Sequence, residues 1–225
     1  MRDFMLLVRK DVRCLLRANG LVLSTFGFSL LLTLVASFAF RQIGYGEREL
    51  LEVTPGIVWL VFLFSGVIAL NHSFALEQEN DALFGLLLTS VEPSTVYLAK
   101  LAVNAVFLGM IQCFVLVAHG VLFGANFWGV FFELLGVSLL GGIGFVATGT
   151  LLSAIAVCTK GRDILLPLML FPLCIPLVAA AVFLSRGLLE TGGLEVESFW
   201  FSLLCGFPLL SVVLSWALFE FVVRE

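Results

Sequence analysis

The sequence has few charged residues for its length, and this scarcity excludes several classes of protein. Only 12% of the 225 residues are Asp, Glu, Lys or Arg, whereas 61% are hydrophobic. Soluble domains have about 25% charged and about 45–50% apolar residues, and disordered chains are richer still in polar residues. A soluble globule with this composition would have no polar surface. The composition therefore predicts a polytopic membrane protein.

Basic clusters and catalytic motifs are also scarce. The 12 basic and 16 acidic residues give a net charge of −4, which argues against a nucleic-acid partner because such a partner requires a basic stripe. The sequence has no G-x-x-x-x-G-K-[ST] phosphate loop and no H-E-x-x-H motif. Its five cysteines form no metal-ligand pair. We therefore predict no catalytic residue, no metal site and no cofactor bound by this chain.

Long apolar stretches are abundant, and six of them reach the length of about 20 residues that a spanning helix needs. They cover roughly residues 21–40, 55–74, 96–120, 127–157, 164–184 and 198–222. We predict an all-α fold with a single transmembrane domain over residues 1–225. Prolines inside a helix remove hydrogen bonds, so kinks or breaks are expected within the last two spans. These prolines are Pro167, Pro172, Pro176 and Pro208.

The basic residues are divided unequally between the two sides of these spans. Nine lie before the first span, just after the second connection between spans, in the fourth connection or at the end of the chain, and three lie on the other side. The positive-inside rule then places both termini in the cytoplasm.

The first 19 residues have their own pattern. Arg9, Arg13 and Arg17 recur at every fourth position, which places them on one side of a helix, and another side of that helix is apolar. We predict an amphipathic helix in the cytoplasmic interface. A cleaved signal peptide is the alternative, but its apolar region would be about 7–15 residues long, shorter than the run found here. The predicted apolar side consists of Phe4, Val8, Val12 and Leu15.

Four polar residues near the span ends remain as candidates for function. His72 and His119 end the second and third spans, about 33 Å of helix apart, so one subunit cannot hold a haem iron between them. A role as a single axial ligand stays open for each histidine. Glu133 and Glu220 have either a function or a simple interfacial position, since carboxylates at span ends can reach water.

The connection between the second and third spans combines acids with an apolar segment too short to cross the membrane. The simpler interpretation is a surface or re-entrant helix. The functional interpretation is a short cytoplasmic coupling helix that docks an ATPase, with an apolar anchor and a charged rim. The candidate contacts are Glu77, Glu79, Asp81, Leu83, Phe84, Leu86 and Leu87. A second, weaker candidate contact is formed by Lys160, Arg162 and Asp163.

Several short segments, in this order and spacing, resemble the CcmB family. They are TPGIVW at 54–59, LNHSFALE at 70–77, GLLL at 85–88, YLAK at 97–100, GTLL at 149–152, RDILLPL at 162–168 and FPLCIP at 171–176. The sequence departs from the family at His72, where Arg is frequent, and at Phe84, where an acid is expected. Both positions fall in the docking region, so we expect the polarity of that contact to differ here.

The resemblance implies an ABC-2-like permease subunit of the haem exporter of cytochrome c maturation, in the bacterial inner membrane. It implies a separate ATPase, CcmA, which binds ATP-Mg and forms a two-plus-two core with a homodimer of the permease. CcmC, CcmD and the haem chaperone CcmE are the other implied partners, besides membrane lipid, and the complex as a whole handles haem. One alternative is an ABC-2 permease that exports a drug or lipid. An alternative of another class is a stand-alone channel or secondary carrier.

Overall fold

The computed structural model describes residues 2–42, 46–79, 92–123, 125–157, 162–194 and 198–224, and no strand occurs in these ranges. Six helices in these ranges are each long and apolar enough to cross a membrane. The prediction of an all-α protein with six spans is therefore confirmed. The helices are α1 Arg2–Arg17, α2 Asn19–Gln42, α3 Glu47–Glu79, α4 Pro93–Phe123, a 3-10 helix Ala125–Val130, α5 Phe131–Val157, α6 Arg162–Thr191 and α7 Phe199–Arg224.

Two helices extend well beyond the predicted spans. Helix α3 begins at Glu47 rather than near residue 55, and α6 continues to Thr191 rather than ending near residue 184. An Arg186 side chain on α6 lies 3.3 Å from Glu52 on α3 and 2.7 Å from Glu190. The half-exposed pair with Glu52 joins the two extensions, whereas the pair with Glu190 lies within α6. Hydropathy locates the apolar part of a helix, but charged turns can continue it into the polar region.

The prolines of the last two spans do not interrupt their helices. Helix α6 is continuous through Pro167, Pro172 and Pro176, and α7 is continuous through Pro208. Spanning helices tolerate proline where neighbouring groups satisfy the freed backbone atoms. The expected breaks are therefore not present at these four residues, and the expected kinks stay a prediction.

Helix α5 lies at the centre of the bundle and packs against α3, α4, α6 and α7. Its small residues permit this, because a Cβ added at Gly141 would lie 2.6 Å from the Trp59 ring of α3 and one at Gly142 would lie 2.6 Å from the Gln112 side chain of α4. Small residues at helix interfaces let membrane helices approach closely. The glycine-rich middle of this span therefore serves helix packing.

Interhelical hydrogen bonds also converge on α5. The Gln112 Nε2 group donates to the Ser138 carbonyl at 2.7 Å, and the Asn104 Nδ2 group donates to the Thr150 hydroxyl at 3.1 Å. The Ser153 hydroxyl donates to the Leu70 carbonyl of α3 at 2.8 Å. Such bonds between spans are each worth on average about 0.6 kcal/mol. Together they fix the register of α5 against α3 and α4.

Candidate functional site

A second apolar cluster, separate from the main core, joins four helices where α1 meets the bundle. Its members come from α1, the first turns of α4, the last turns of α5 and the end of α7. Helix α1 and the C-terminal end of α7 therefore lie on the same side of the bundle, which we call the basic side because nine of the twelve basic residues were assigned to it. We call the cluster the junction. Its buried residues are Leu7, Val96, Tyr97, Ala99, Leu151, Ala154 and Phe219.

Tyr97 is the central side chain of the junction and is completely buried. Its hydroxyl donates to the Ala147 carbonyl of α5 at 3.2 Å, and a side-chain hydrogen bond joins it to Ser215 of α7. The centroid of its ring lies 5.4 Å from that of Phe219. A buried tyrosine usually uses both its apolar ring and its hydroxyl in this way. Tyr97 thus links α4 to α5 and α7 through one side chain.

An ion pair between α1 and α4 borders the junction. Asp11 Oδ2 lies 3.5 Å from Lys100 Nζ, and Asp11 Oδ1 lies 3.1 Å from Lys10 Nζ. The side chains of Asp11 and Lys100 are only 8% and 7% exposed. Removing one member of such a buried pair leaves the other charge poorly compensated, so the pair is costly to break.

This pair was missed by sequence reasoning, which used Lys100 to orient the chain and as part of the YLAK segment but did not single out Asp11. The signal was present, because Asp11 is the one acid that the helical period places on the apolar face of α1, near Leu7 and Leu15. An acid on such a face needs a cationic partner when the face is buried. The sequence could not indicate which lysine serves as that partner.

The predicted ATPase contacts lie next to the junction along the chain. Glu77 and Glu79 fall in the last turns of α3, whereas Asp81, Leu83, Phe84, Leu86 and Leu87 lie outside the described residues. Arg162 and Asp163 begin α6, and Lys160 lies outside the described residues. Residues 80–91 lead directly into α4, and residues 158–161 follow directly after α5. The described parts of the two predicted contacts, at the end of α3 and the start of α6, therefore lie at the same side of the bundle, and along the chain they are close to helices that meet in the junction.

The other polar candidates do not form a common site. His119 is buried in the far half of α4, where its Nδ1 lies 2.9 Å from the Val115 carbonyl oxygen. His72 belongs to the part of α3 on the basic side. Glu133 and Glu220 are both exposed. In the described part of the chain, no group of three or more His, Cys, Asp or Glu residues could hold a metal ion.

A groove of about 240 Å³ opens between α4 and α5. Its walls are almost entirely apolar and include Gly109, Gly142 and Ile143. The polar side chain on this wall, Gln112, already donates to the Ser138 carbonyl. The groove therefore offers no constellation of polar groups that would fix a charged ligand.

The comparisons with known proteins cover nearly the whole chain. Residues 2–224 match the family described as "CcmB protein". The chain is also similar to "Heme exporter protein B" of Bradyrhizobium diazoefficiens, with 25% identity over 209 residues, which is 92% of this chain and 91% of that relative. This extent confirms the resemblance drawn from the short sequence segments. The chain belongs to the CcmB family.

Proposed function

We propose that this protein is the non-catalytic permease subunit of an ABC transporter that exports haem for cytochrome c maturation. The observation that carries the proposal is the match to the CcmB family over residues 2–224, together with the six helices able to span a membrane. The name of the relative, a haem exporter protein, favours haem over a drug or lipid. Dependence on an ATPase distinguishes this function from that of a stand-alone channel or carrier.

In this proposal the protein works by transmitting movement. Two CcmA subunits hydrolyse ATP-Mg and dock on two copies of this chain through residues 77–87, with Lys160, Arg162 and Asp163 as a second contact. Closure of the ATPase pair displaces the segment that leads into α4. Because α4 contacts α1, α5 and α7 in the junction, these helices respond together, and the bundle shifts between two arrangements. The complex, with CcmC and CcmD, uses this shift to release haem-loaded CcmE.

The same proposal places the protein in the bacterial inner membrane with the basic side in the cytoplasm. The excess of Lys and Arg on that side supports this orientation through the positive-inside rule. CcmA would then meet the predicted contacts from the cytoplasm. CcmE would meet the opposite face of the bundle.

Pull-down of the ATPase with detergent-solubilised variants tests the docking contact. Apolar anchors dominate interface energies, whereas rim charges tune association. We expect Phe84→Ala to weaken CcmA binding by at least about 2 kcal/mol, or roughly thirtyfold, at both low and high salt. Glu79→Ala should have a smaller effect that shrinks as salt rises, because exposed charges are screened.

Glu133→Ala is the matched control for charge, because Glu133 is an exposed acid at the opposite side of the bundle. It should leave CcmA binding unchanged. The yield of c-type cytochromes in cells should fall with Phe84→Ala. Full ATPase binding together with full cytochrome yield in Phe84→Ala would show that Phe84 is not an anchor, and the residues at 160–163 would become the first candidate.

A further inference from the structure

Helix α1 uses its inward side for contacts with the protein. Leu7 and Asp11 are buried, and Phe4 and Val8 pack against the junction. Leu15 packs against the main core. Of the predicted apolar side, only Val12 is exposed, at 38%. The side of α1 that sequence analysis assigned to the membrane is therefore largely occupied by the protein itself.

A different set of apolar residues on α1 faces outward. Met5 is 64% exposed and Leu16 is 70% exposed. At about 100° per residue, Met5, Val12 and Leu16 fall within about 40° of one another around the helix. We call Met5, Val12 and Leu16 the outer apolar strip. Around the helix, this strip lies next to the inward side. None of these three residues belongs to either apolar cluster of the described chain.

Beside this strip runs a basic strip formed by Arg9, Arg13 and Arg17, all of which are exposed, with Leu6 exposed among them. Like charges four residues apart repel one another on a helix. No ion pair joins these arginines to a carboxylate in the described ranges. Asp11 is turned inward to Lys10 and Lys100. Within the described part of the chain, the basic strip therefore has no carboxylate paired with it.

We propose that α1 binds anionic phospholipids of the bilayer, with Arg9, Arg13 and Arg17 on the headgroup phosphates and Met5, Val12 and Leu16 among the acyl chains. The contact of Asp11 with Lys100 and the packing of Leu7 in the junction set the rotation of α1. This rotation presents the outer apolar strip and the basic strip together. The inference is independent of the cargo of the transporter.

A lipid surface fits this pair of strips better than an acidic protein does. Interfacial helices combine cationic residues with adjacent apolar residues at the boundary between headgroups and acyl chains. A single residue, Ala18, separates α1 from the spanning helix α2, which keeps α1 close to the end of a span. Each basic residue near an anionic leaflet strengthens attraction by about fivefold. Three arginines together would then favour anionic over zwitterionic lipid by on the order of a hundredfold.

The test measures lipid binding by the full-length protein in a neutral detergent. Purified protein is titrated with phosphatidylglycerol or phosphatidylcholine, and bound lipid is counted by native mass spectrometry. We expect the wild type to prefer phosphatidylglycerol, and this preference should fall as salt rises. The triple variant Arg9→Gln, Arg13→Gln, Arg17→Gln should lose most of it. The triple Lys variant at the same positions should keep it, since the charge is conserved.

A variant with Met5→Ser and Leu16→Ser should bind both lipids more weakly, because it alters the outer apolar strip and leaves the charge unchanged. Helical content and elution volume show whether each variant is folded. If the triple Gln variant does not fold, the salt dependence of the wild type and the triple Lys variant still decide the outcome. Equal binding of the two lipids by the wild type overturns the proposal. Loss of CcmA binding with an unchanged lipid preference in the triple Gln variant also overturns it and assigns the strip to an acidic protein.

Discussion

At the scale of single residues, Asp11 is the side chain on which the position of α1 most depends. Its carboxylate lies close to lysines from two helices, Lys10 of α1 and Lys100 of α4. Because Asp11 and Lys100 are both largely buried, water compensates for little of a lost partner. The pair therefore ties the amphipathic helix to the first turns of a spanning helix.

We predict that Asp11→Asn destabilises the protein more than Lys100→Met does. The first variant removes the carboxylate from both lysines and should lower the free energy of unfolding by about 2 kcal/mol. The second variant leaves the contact between Lys10 and Asp11 at 3.1 Å and should cost about half as much. Reversible unfolding in mixed micelles, followed by circular dichroism, measures both values.

Asp3→Asn is the matched control, because Asp3 is the other acid of α1 and is exposed. Its effect should stay within about 0.5 kcal/mol. If Asp11→Asn were no more destabilising than Asp3→Asn, the ion pair would not hold α1 in place.

Tyr97 makes a second residue-scale prediction possible. Tyr97→Phe removes the hydroxyl that contacts the Ala147 carbonyl and Ser215 and should cost about 1 kcal/mol. Ser215→Ala should cost less. The double variant should cost less than the sum of the two single variants, because both remove the same hydrogen bond. Additive free energies in this double-mutant cycle would show that the two side chains act independently.

At the scale of elements, α5 contributes glycines that let neighbouring helices approach it closely. Gly141 faces Trp59 of α3, whereas a Cβ at Gly136, in the same helix, would meet nothing within 4 Å. The two glycines thus belong to the same helix, but only Gly141 is in close contact with a neighbouring side chain. They offer a matched pair for testing whether close approach holds the bundle together.

We predict that Gly141→Ala destabilises the protein by about 2 kcal/mol, because overpacking of a tight contact costs about 1–3 kcal/mol. The added methyl would lie 2.6 Å from the rigid Trp59 ring, so α3 and α5 would have to separate. Gly136→Ala should be neutral or stabilising by up to about 1 kcal/mol, since alanine favours helix over glycine. Thermal unfolding in detergent compares the two variants.

A smaller side chain opposite the glycine provides the complementary experiment. Trp59→Leu should partly rescue Gly141→Ala and should have no such effect on Gly136→Ala. Equal stability of the two alanine variants would mean that the bundle adjusts to the methyl group without cost.

At the scale of the whole molecule, the junction links the two ends of the chain. Leu7 of α1 and Phe219 of α7 belong to the same buried cluster, so α1 and the C-terminal end of α7 lie on the same side of the bundle. Between Leu7 and Phe219 the chain runs through six helices that are able to span a membrane. The end of α3 and the start of α6, which hold the described residues of the predicted ATPase contacts, lie on this same side.

We predict that this side is cytoplasmic, because it carries nine of the twelve basic residues. A reporter active only in the cytoplasm should be active when fused after Glu225. The same reporter should be inactive after Gly193, an exposed residue in the turn beyond α6 on the opposite side. The reverse pattern of activity would invert the orientation and remove the predicted contacts from the reach of a cytoplasmic ATPase.

Local properties of the sequence determined the number and order of the spans. The length of an apolar segment determines whether it can cross the bilayer, and it can be read without knowing which segments lie beside it. The family could also be assigned from short ordered segments, and the match over residues 2–224 confirmed it. The docking role of residues 77–87 was predicted from the same kind of local pattern and stays a prediction.

Tertiary structure alone decided which neighbour each apolar face meets. Lipid tails and buried side chains are equally apolar, so the periodicity of α1 could not show that Phe4 and Val8 face the junction while Met5 and Leu16 face outward. The partner of Asp11 lies far along the chain, at Lys100, and only the packing of α1 on α4 brings the two charges together. Likewise, Arg186 stabilises the extensions of α3 and α6 through Glu52 and Glu190, and hydropathy cannot detect such contacts because it sums residues along one segment.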